Sequence, residues 1–394
     1  MRDTDKVRAL LAVMEDAGLD ALVVGGAFNV RYVSAAWVPM THAQPDRPML
    51  ALMQRSGARA LIVPAVWRDI ALECADVDEV HVVPAQEEPL AAACRVAAAS
   101  LAPASVVGID GAAMTVAVGS ALAAELTRAG HVVVECGKAL GRARMIKTPT
   151  EREVLRELAL KTDHAINGYF HHLIANRASS ALVMSEQLRI HSLERDIELS
   201  GYNACARAKV GEGTKTYWPY APNYDFAAMD VRKYPNDLIV AEVSNTDGGY
   251  WSNSVRMAVN AKTMPGPVER ACEDINRLRR HALDCIRPGR TCARIYEDLS
   301  RFAAREGIPV DEAVPFGFSV GVAPMEAPFF SPGDPTPVEA GMVFVLDLVV
   351  VYDGVLYRSR DNVEVTQDGA QIVAWYKDWR EPYLAIGHLA DFAM

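Results

Sequence analysis

The sequence lacks the long apolar runs of membrane proteins and the long basic stripes of nucleic-acid-binding proteins. None of its hydrophobic stretches approaches the roughly 18 residues that a membrane-spanning helix needs. The formal net charge at pH 7 is −10, which argues against nucleic acids and anionic membranes as partners. The first residues, MRDTDKVRALLAVMEDAG, form an acidic amphipathic pattern unlike a signal peptide. We therefore expect a cytoplasmic protein whose partner is a small-molecule substrate.

Cysteine spacing excludes two further classes. The seven cysteines form no CxxC pair and no zinc-like spacing, so we expect reduced and mostly buried thiols rather than a disulfide framework or a zinc site. The 394 residues are 51% hydrophobic, which is enough for two packed domains or one large one.

The pattern of elements changes near Pro149. Residues 1–145 alternate apolar strands with helices, which predicts an α/β domain. Residues 146–394 begin with a long helix from TPTE and continue with a hairpin, two helices and further strands. This second region is predicted to be an α+β domain with an antiparallel sheet.

The predicted hairpin is AEVSNTDGGYWSNSVR, residues 241–256. Asp247-Gly248 is a strong signal for a two-residue turn, and a turn there would place Glu242 directly opposite Asn253. A carboxylate within so apolar a strand is costly unless it is paired or has a chemical task. Glu242 is thus a candidate nucleophile or general base, with Asn253 as a hydrogen-bond donor to the substrate. The alternative is that Glu242 forms a buried structural ion pair with Arg256 or Arg360.

Two arginines follow Gly354 on a later strand. Arg358 and Arg360 lie at i and i+2, so their side chains share one face of the strand and could hold a substrate carboxylate. Asp347, on the strand before, is a candidate for proton transfer. It could equally balance the charge of the arginines.

An aromatic loop lies ahead of the hairpin, at residues 212–226. Tyr217, Trp218 and Tyr220 are interrupted by proline, so this segment is neither a central strand nor a helix. These rings could wall a pocket for a planar or cationic substrate. Ordinary loop packing and a dimer contact are the alternatives.

Six segments, taken in order, resemble the creatinase, prolidase and aminopeptidase P group. They are GLDALVVGGAFNVRYVS, RMIKTPTEREVLREL, NDLIVAEVSNTDGGYWSNSVR, IRPGRTCARIYEDL, PFGFSVGVAPMEAPF and GMVFVLDLVVVYDGVLYRSRDNVEVT. The resemblance covers residues 18–366 and implies a creatinase-like N-terminal α/β domain, residues 1–145. It also implies a C-terminal pita-bread catalytic domain with a curved antiparallel sheet, residues 146–394.

The resemblance also implies where a metal centre would lie. The five ligands of metal-dependent members fall on Glu242, Asn253, Phe318, Asp347 and Arg360. Phenylalanine has no donor atom and arginine brings a cation, so we expect no bound metal and no cofactor. Where the group's peptidases have His-Glu, this sequence has Met325-Glu326. We therefore expect Phe318, Met325 and Glu326 to contact the substrate, with a purely structural role as the alternative for Glu326.

Metal-free members of the group, creatinase and ectoine hydrolase, give the working expectation for function. It is a metal-independent hydrolase, or a related C–N bond enzyme, acting on an amide, a cyclic amidine or a guanidino acid. A pseudoenzyme that binds a small molecule or a protein is the first alternative, and a metal-dependent peptidase is the less favoured one. The resemblance further implies a homodimer in which the N-terminal domain, near Phe28, Asn29, Trp37 and His42, approaches the partner's site.

Overall fold

The computed structural model describes residues 3–37, 48–175, 181–197, 203–209, 237–259, 261, 263–373 and 375–384. The chain forms two compact units, Met1–Thr148 and Pro149–Met394. In the described part of the chain, no helix combines the length and the apolar character needed to cross a membrane.

The N-terminal unit is a mixed sheet with helices packed on it. Its strands are β1 Ala21–Val24, β2 Leu50–Gln54, β3 Arg59–Pro64, β4 Glu79–Val83, β5 Val106–Ile109 and β6 Val132–Glu135. Its helices are α1 Thr4–Asp16, α2 Ala27–Ser34, α3 Arg68–Cys74, α4 Pro89–Ala99, α5 Val116–Arg128 and α6 Gly137–Met145. Within the described residues the six strands lie in the order β4-β3-β2-β1-β5-β6.

Helix boundaries in this unit follow local capping chemistry. Helix α4 begins after Glu88, whose carboxylate accepts from two backbone N–H groups, and Pro89 occupies its first turn. Helix α5 is capped by the hydroxyl of Thr115. The apolar sides of both helices pack on the sheet in one core that includes Val23, Leu52 and Leu122. The predicted α/β fold class of this region is confirmed.

The C-terminal unit is an antiparallel sheet with helices packed on it. Its strands are β7 Asn203–Lys209, β8 Asp237–Asp247, β9 Tyr250–Val259, β10 Gly317–Ser319, β11 Glu326–Phe329, β12 Val343–Tyr352, β13 Val355–Val365, β14 Ala370–Ile372 and β15 Tyr383–Leu384. Its helices are α7 Pro149–Ala175, α8 Ala181–Leu193, α9 Gly266–Cys285 and α10 Cys292–Glu306. In the described residues the strand order is β11-β10-β12-β13-β9-β8-β7, with β14 beside β13 and β15 beside β9. The pita-bread expectation for this unit is confirmed.

The two faces of this sheet carry different side chains. On one face, which we call the helix face, Ala241 and Val243 pack with Ile166 and Phe170 of α7 in a buried apolar core. Side chains alternate along each strand, so the neighbouring residue Glu242 lies on the opposite face, which we call the site face. In the described residues, β9 and β13 are joined at a single residue pair, Val255 and Arg360. The polar residues of the site face meet at this pair, and close to it the side-chain amide of Asn362 on β13 also donates to the backbone carbonyl of Asn253 on β9.

The register of the hairpin differs from the predicted one. Glu242 pairs with Val255, and Asn253 pairs with Ser244, so Glu242 and Asn253 are diagonal neighbours on the site face. The turn residues are Gly248 and Gly249, with φ of 51° and 81°, rather than Asp247 and Gly248. Two glycines adopt these left-handed conformations without the strain that Asp247 would suffer, and this moves the register by two residues.

Candidate functional site

Four buried charged residues meet at the centre of the site face. We call Glu242, Asp347, Arg358 and Arg360 the charge ring. Arg358 donates from Nε and Nη2 to the two oxygens of Asp347, at 2.7 and 2.5 Å, and from Nη1 to Glu242 at 3.2 Å. Arg360 donates from Nε to Asp347 at 3.0 Å and from Nη1 to Glu242 at 2.6 Å. Every carboxylate oxygen in the ring thus accepts at least one guanidinium hydrogen.

Strand pairing explains why these four side chains meet. Asp347 on β12 pairs with Arg360 on β13, and Arg360 in turn pairs with Val255 on β9. Val255 pairs with Glu242 on β8, which places Glu242 on the same face as both arginines. Arg358 is two residues before Arg360, so the predicted shared face of the two arginines is confirmed.

The ring is sealed from solvent. Glu242 and Asp347 are each 1% exposed, and both arginines are 0% exposed. Buried charges are tolerated only when they are paired and hydrogen-bonded, and here two anions and two cations balance. Arg360 therefore supplies the internal partner that the structural alternative for Glu242 required. The predicted roles of Glu242 and Asp347 in catalysis, and of the arginines in binding a substrate carboxylate, stay predictions.

Phe318 lies beside the ring rather than across a metal site. It sits on β10, pairs with Val345 and is 1% exposed. The guanidinium carbon of Arg360 lies 5.4 Å from the centroid of the phenyl ring of Phe318, within the range of a cation–π contact.

The other predicted site residues lie in different positions. Asn253 donates from its side-chain amide to the carbonyl of Pro324 at 2.7 Å, so it holds the segment ahead of β11. Met325 is 37% exposed, and Glu326 pairs with Ser319 at the start of β11. Tyr217, Trp218 and Tyr220 lie outside the described residues, as does His42.

The residues at the five expected ligand positions do not fit a divalent metal ion. Divalent cations are held in proteins by carboxylate, imidazole or thiolate donors without competing positive charge. Here both carboxylates are occupied by guanidinium groups, and Phe318 provides no donor atom. Among the described residues, no group of three or more His, Cys, Asp or Glu side chains could hold a metal ion.

A second buried ionic network, which sequence reasoning missed, lies on the helix face directly behind the ring. Arg256 donates to Asp163 and to Asp361, each at 2.8 Å, and its Nη1 also donates to the backbone carbonyl of Arg360 at 2.7 Å. Arg279 donates to Asp361 at 2.9 Å. Although burial alone would raise it, Arg279 and Arg256 lower the pKa of Asp361 to about 2. Arg256, on β9, therefore fastens the backbone of β13 at Arg360.

The C-terminal segment completes this second network. The indole of Trp375 donates to Asp361 at 2.9 Å, and that of Trp379 donates to Asp163 at 2.5 Å. Each tryptophan ring also faces a guanidinium group, since Arg279 lies 5.3 Å from Trp375 and Arg256 lies 5.4 Å from Trp379. Trp375 and Trp379 lie far along the chain from Arg279 and Arg256, so no local sequence pattern indicates these contacts.

The sequence pattern of the creatinase/prolidase N-terminal domain matches residues 6–146, and that of metallopeptidase family M24 matches residues 124–367. The chain belongs to metallopeptidase family M24. The superfamily that the sequence resembles is thereby confirmed. The finer resemblance to metal-free members stays a prediction.

Proteins similar to this M24 chain include peptidases. Two proteins called probable dipeptidase PepE, from Mycobacterium bovis and Mycobacterium tuberculosis, are 25% identical over 235 residues. The match spans 59% of this chain and 59% of those relatives. The crystal structure of dipeptidase PepE from Mycobacterium ulcerans superposes with a TM-score of 0.76 at 20% identity, covering 97% of each chain. The Xaa-Pro dipeptidase from Bacillus anthracis gives 0.74 at 16% identity, covering 97% of this chain and 100% of that one.

These relatives correct the expected function. A metal-independent hydrolase of non-peptide amides, cyclic amidines or guanidino acids is wrong as the inferred function, because the named M24 relatives are dipeptidases. The inference took its substrate class from the metal-free members of the group. Glu242, its candidate nucleophile or base, is tied into the charge ring.

Proposed function

We propose that this chain recognises a short peptide, or a peptide-like amide, on the site face of its C-terminal unit. The observation that carries the proposal is a pair of buried hydroxyl groups beside the charge ring. Ser244 and Thr246 are each 0% exposed, and neither side-chain oxygen has a hydrogen-bond partner in the described part of the chain. A buried hydroxyl left unpaired costs about 1–3 kcal/mol, so two of them in one place favour a ligand that supplies the missing bonds.

The chemistry of these residues suits a peptide group. Ser244 and Thr246 lie two and four residues after Glu242, on the same face of β8. Each hydroxyl both donates and accepts, which matches the carbonyl and N–H of an amide without adding charge. The names of the M24 relatives support the same substrate class, since they are dipeptidases.

The proposal is recognition without cleavage by a metal pair. Both ring carboxylates are held by guanidinium groups, so neither is free to ligate an ion. Hydrolysis of the same peptide-like ligand is the second candidate, and the dipeptidase names of the relatives favour it. Groups other than the ring carboxylates would then have to carry the reaction.

A dipeptide panel that includes Xaa-Pro sequences tests both candidates. Binding is measured by calorimetry and cleavage by mass spectrometry, with chelator and then with added manganese, zinc or cobalt. We expect saturable binding, weakened at least about tenfold by Ser244→Ala with Thr246→Val, as removal of hydrogen bonds predicts. Ser252→Ala is the matched control, because Ser252 Oγ is also buried and unpaired in the described residues but lies on the helix face.

Three results would overturn the proposal of recognition without cleavage. Peptide cleavage that chelator abolishes and metal restores would establish a metallopeptidase. Cleavage that survives chelation would establish the second candidate. If Ser252→Ala weakened binding as much as the double variant does, the hydroxyls of Ser244 and Thr246 would not be the groups that recognise the ligand.

A further inference from the structure

We infer that Arg358 and Arg360 are the resident cations of this M24 site, carried on side chains instead of being taken up as metal ions. The inference goes beyond the proposed function and holds whichever ligand the site face binds. It rests on the disagreement between a metallopeptidase family and a donor set that fits no divalent ion.

Charge and geometry within the ring carry the first step. Glu242 and Asp347 would form a pair of adjacent buried anions if nothing lay between them. Two guanidinium groups, each bonded to both carboxylates, neutralise the pair. An anionic pair that bridges two cations is the charge arrangement of a two-metal site. It is reproduced here by two planar cations, of which Arg358 holds Asp347 through two parallel hydrogen bonds.

Phe318, the residue beside the two arginines, supports the same inference. An imidazole binds a metal ion through a nitrogen lone pair, whereas a guanidinium ion has no vacant coordination position to receive one. Arg360 is instead faced by the ring of Phe318 at 5.4 Å, and an aromatic face stabilises a cation without a lone pair. Both positions hold metal ligands in metal-dependent members of the group. Here Arg360 supplies a cation and Phe318 supplies the aromatic face that stabilises it, so the two residues act together.

The charge ring is also held in place from the helix face of the sheet. This limits how far its carboxylates could move to surround a metal ion. Arg256 donates to the backbone carbonyl of Arg360, and Arg256 is itself held by Asp163 and Asp361. The backbone of Arg360 is thus held from the helix face, while its guanidinium group is held by Asp347 and Glu242 on the site face. An entering divalent ion would have to displace that guanidinium group.

Chemical rescue tests the inference. Arg360→Ala removes the guanidinium group and leaves a space lined by Glu242, Asp347 and Phe318. We expect the thermal unfolding midpoint to fall by roughly 10 °C. Free guanidinium chloride at roughly 20 mM should then raise it by about 2–4 °C relative to sodium chloride at equal ionic strength. Leu346→Ala is the matched control, since Leu346 is buried on the same strand as Asp347 and points to the helix face.

A rise in the midpoint with guanidinium chloride that is confined to Arg360→Ala supports the inference. An equal rise in both variants, or no rise in either, overturns it.

If Arg360→Ala does not fold, Arg360→Lys and the unaltered chain keep the inference testable. Arg360→Lys keeps a cation, so its unfolding midpoint should fall by less than half of the roughly 10 °C expected for loss of the guanidinium group. In the unaltered chain, elemental analysis should find well below one metal per chain, and excess manganese, zinc or cobalt should not shift the midpoint. A stoichiometric metal, or stabilisation by one, overturns the inference.

Discussion

The guanidinium group of Arg360 lies between the ring of Phe318, at 5.4 Å, and the carboxylate of Glu242, at 2.6 Å. One cation therefore has an aromatic face on one side and an anion on another, inside a region from which solvent is excluded. Both contacts gain strength from burial, because the competing hydration of the cation is lost.

Phe318→His should destabilise the chain and make its stability depend on pH. Burial and the neighbouring Arg360 both disfavour a protonated imidazole, so they should lower the pKa of the introduced histidine. A lowered pKa gives stability that is present above the ordinary value near 6.5 and is lost as pH falls. Each unit of lowering is worth about 1.4 kcal/mol between about pH 8 and about pH 5. Urea titrations at both pH values measure the difference.

Phe318→Leu provides the control, since it removes the ring without adding a titratable group. It should lose the cation–π contact, about 1–2 kcal/mol in a desolvated site, equally at both pH values. Stabilisation of the histidine variant by added zinc would contradict the inference that arginines replace metal ions here, because it would mean that the charge ring admits a metal ion.

Much of the fold was predictable because its long elements have strong local signals. The alternation of strands and helices in residues 1–145 and the long helix from Pro149 were predicted within a few residues of their observed limits. The short helix α2 was not predicted, because its N-cap is Gly26, which has no capping side chain. Strand β4 was missed because its burial is only partial and its sequence, EVHVV, is short.

The site was predictable only in composition. Glu242, Asp347, Arg358 and Arg360 were singled out because charged residues are rare within apolar strands. Their mutual arrangement depends on strand order, since β8 and β12 are brought together through β9 and β13. The contact of Arg256 with Asp163 joins residues 93 positions apart, and no local pattern encodes such a pair.

Gly249→Ala should distinguish the observed hairpin register from the predicted one. Gly249 has φ of 81°, so an alanine there should cost about 1 kcal/mol. In the predicted register Gly249 would belong to a strand, and alanine would then stabilise the hairpin by about 0.5–1 kcal/mol. Gly248→Asn should be nearly neutral, since asparagine tolerates the first position of such a turn. The sign of the change in unfolding free energy for Gly249→Ala therefore decides between the two registers.

Arg256→Ala should destabilise the C-terminal unit by about 3–5 kcal/mol, because it leaves Asp163 and Asp361 buried with less compensating charge. Arg256→Lys should be intermediate, since an ammonium group cannot reach both carboxylates and the carbonyl of Arg360. Tryptophan fluorescence during urea unfolding measures both.

Acid unfolding gives a second readout for the same variants. The lowered pKa of Asp361, about 2, contributes stability that is present above its ordinary value of 3.8 and is lost as pH falls towards 2. Without Arg256 that pKa should rise, so acid unfolding should begin at higher pH. Arg380→Ala, which removes an exposed pair with Asp378, should change neither measurement appreciably. Equal effects of Arg256→Ala and Arg380→Ala would refute the role of Arg256 as a fastener.

The N-terminal unit should be more stable in mild acid than at neutral pH, because of Asp110. This residue is 0% exposed and accepts from the N–H groups of Gly25 and Gly26 and from Asn29. Burial outweighs these hydrogen bonds and raises its pKa from 3.8 to about 6. A raised pKa gives stability that is fully present below 3.8 and is lost as pH rises through 6, an effect of about 3 kcal/mol.

Asp110→Asn should abolish this dependence while preserving the size of the side chain. The variant loses some stability at every pH, because an asparagine presents a second N–H₂ group to Asn29. What should disappear is the fall in stability between about pH 4 and about pH 7. Urea titrations read by hydrogen exchange of peptides that cover residues 21–34 isolate this unit. Asp20→Asn, which alters a partly exposed carboxylate that accepts from Val106, is the control and should leave the fall in place. A pH dependence that persists unchanged in Asp110→Asn would assign it to other groups and remove Asp110 from the explanation.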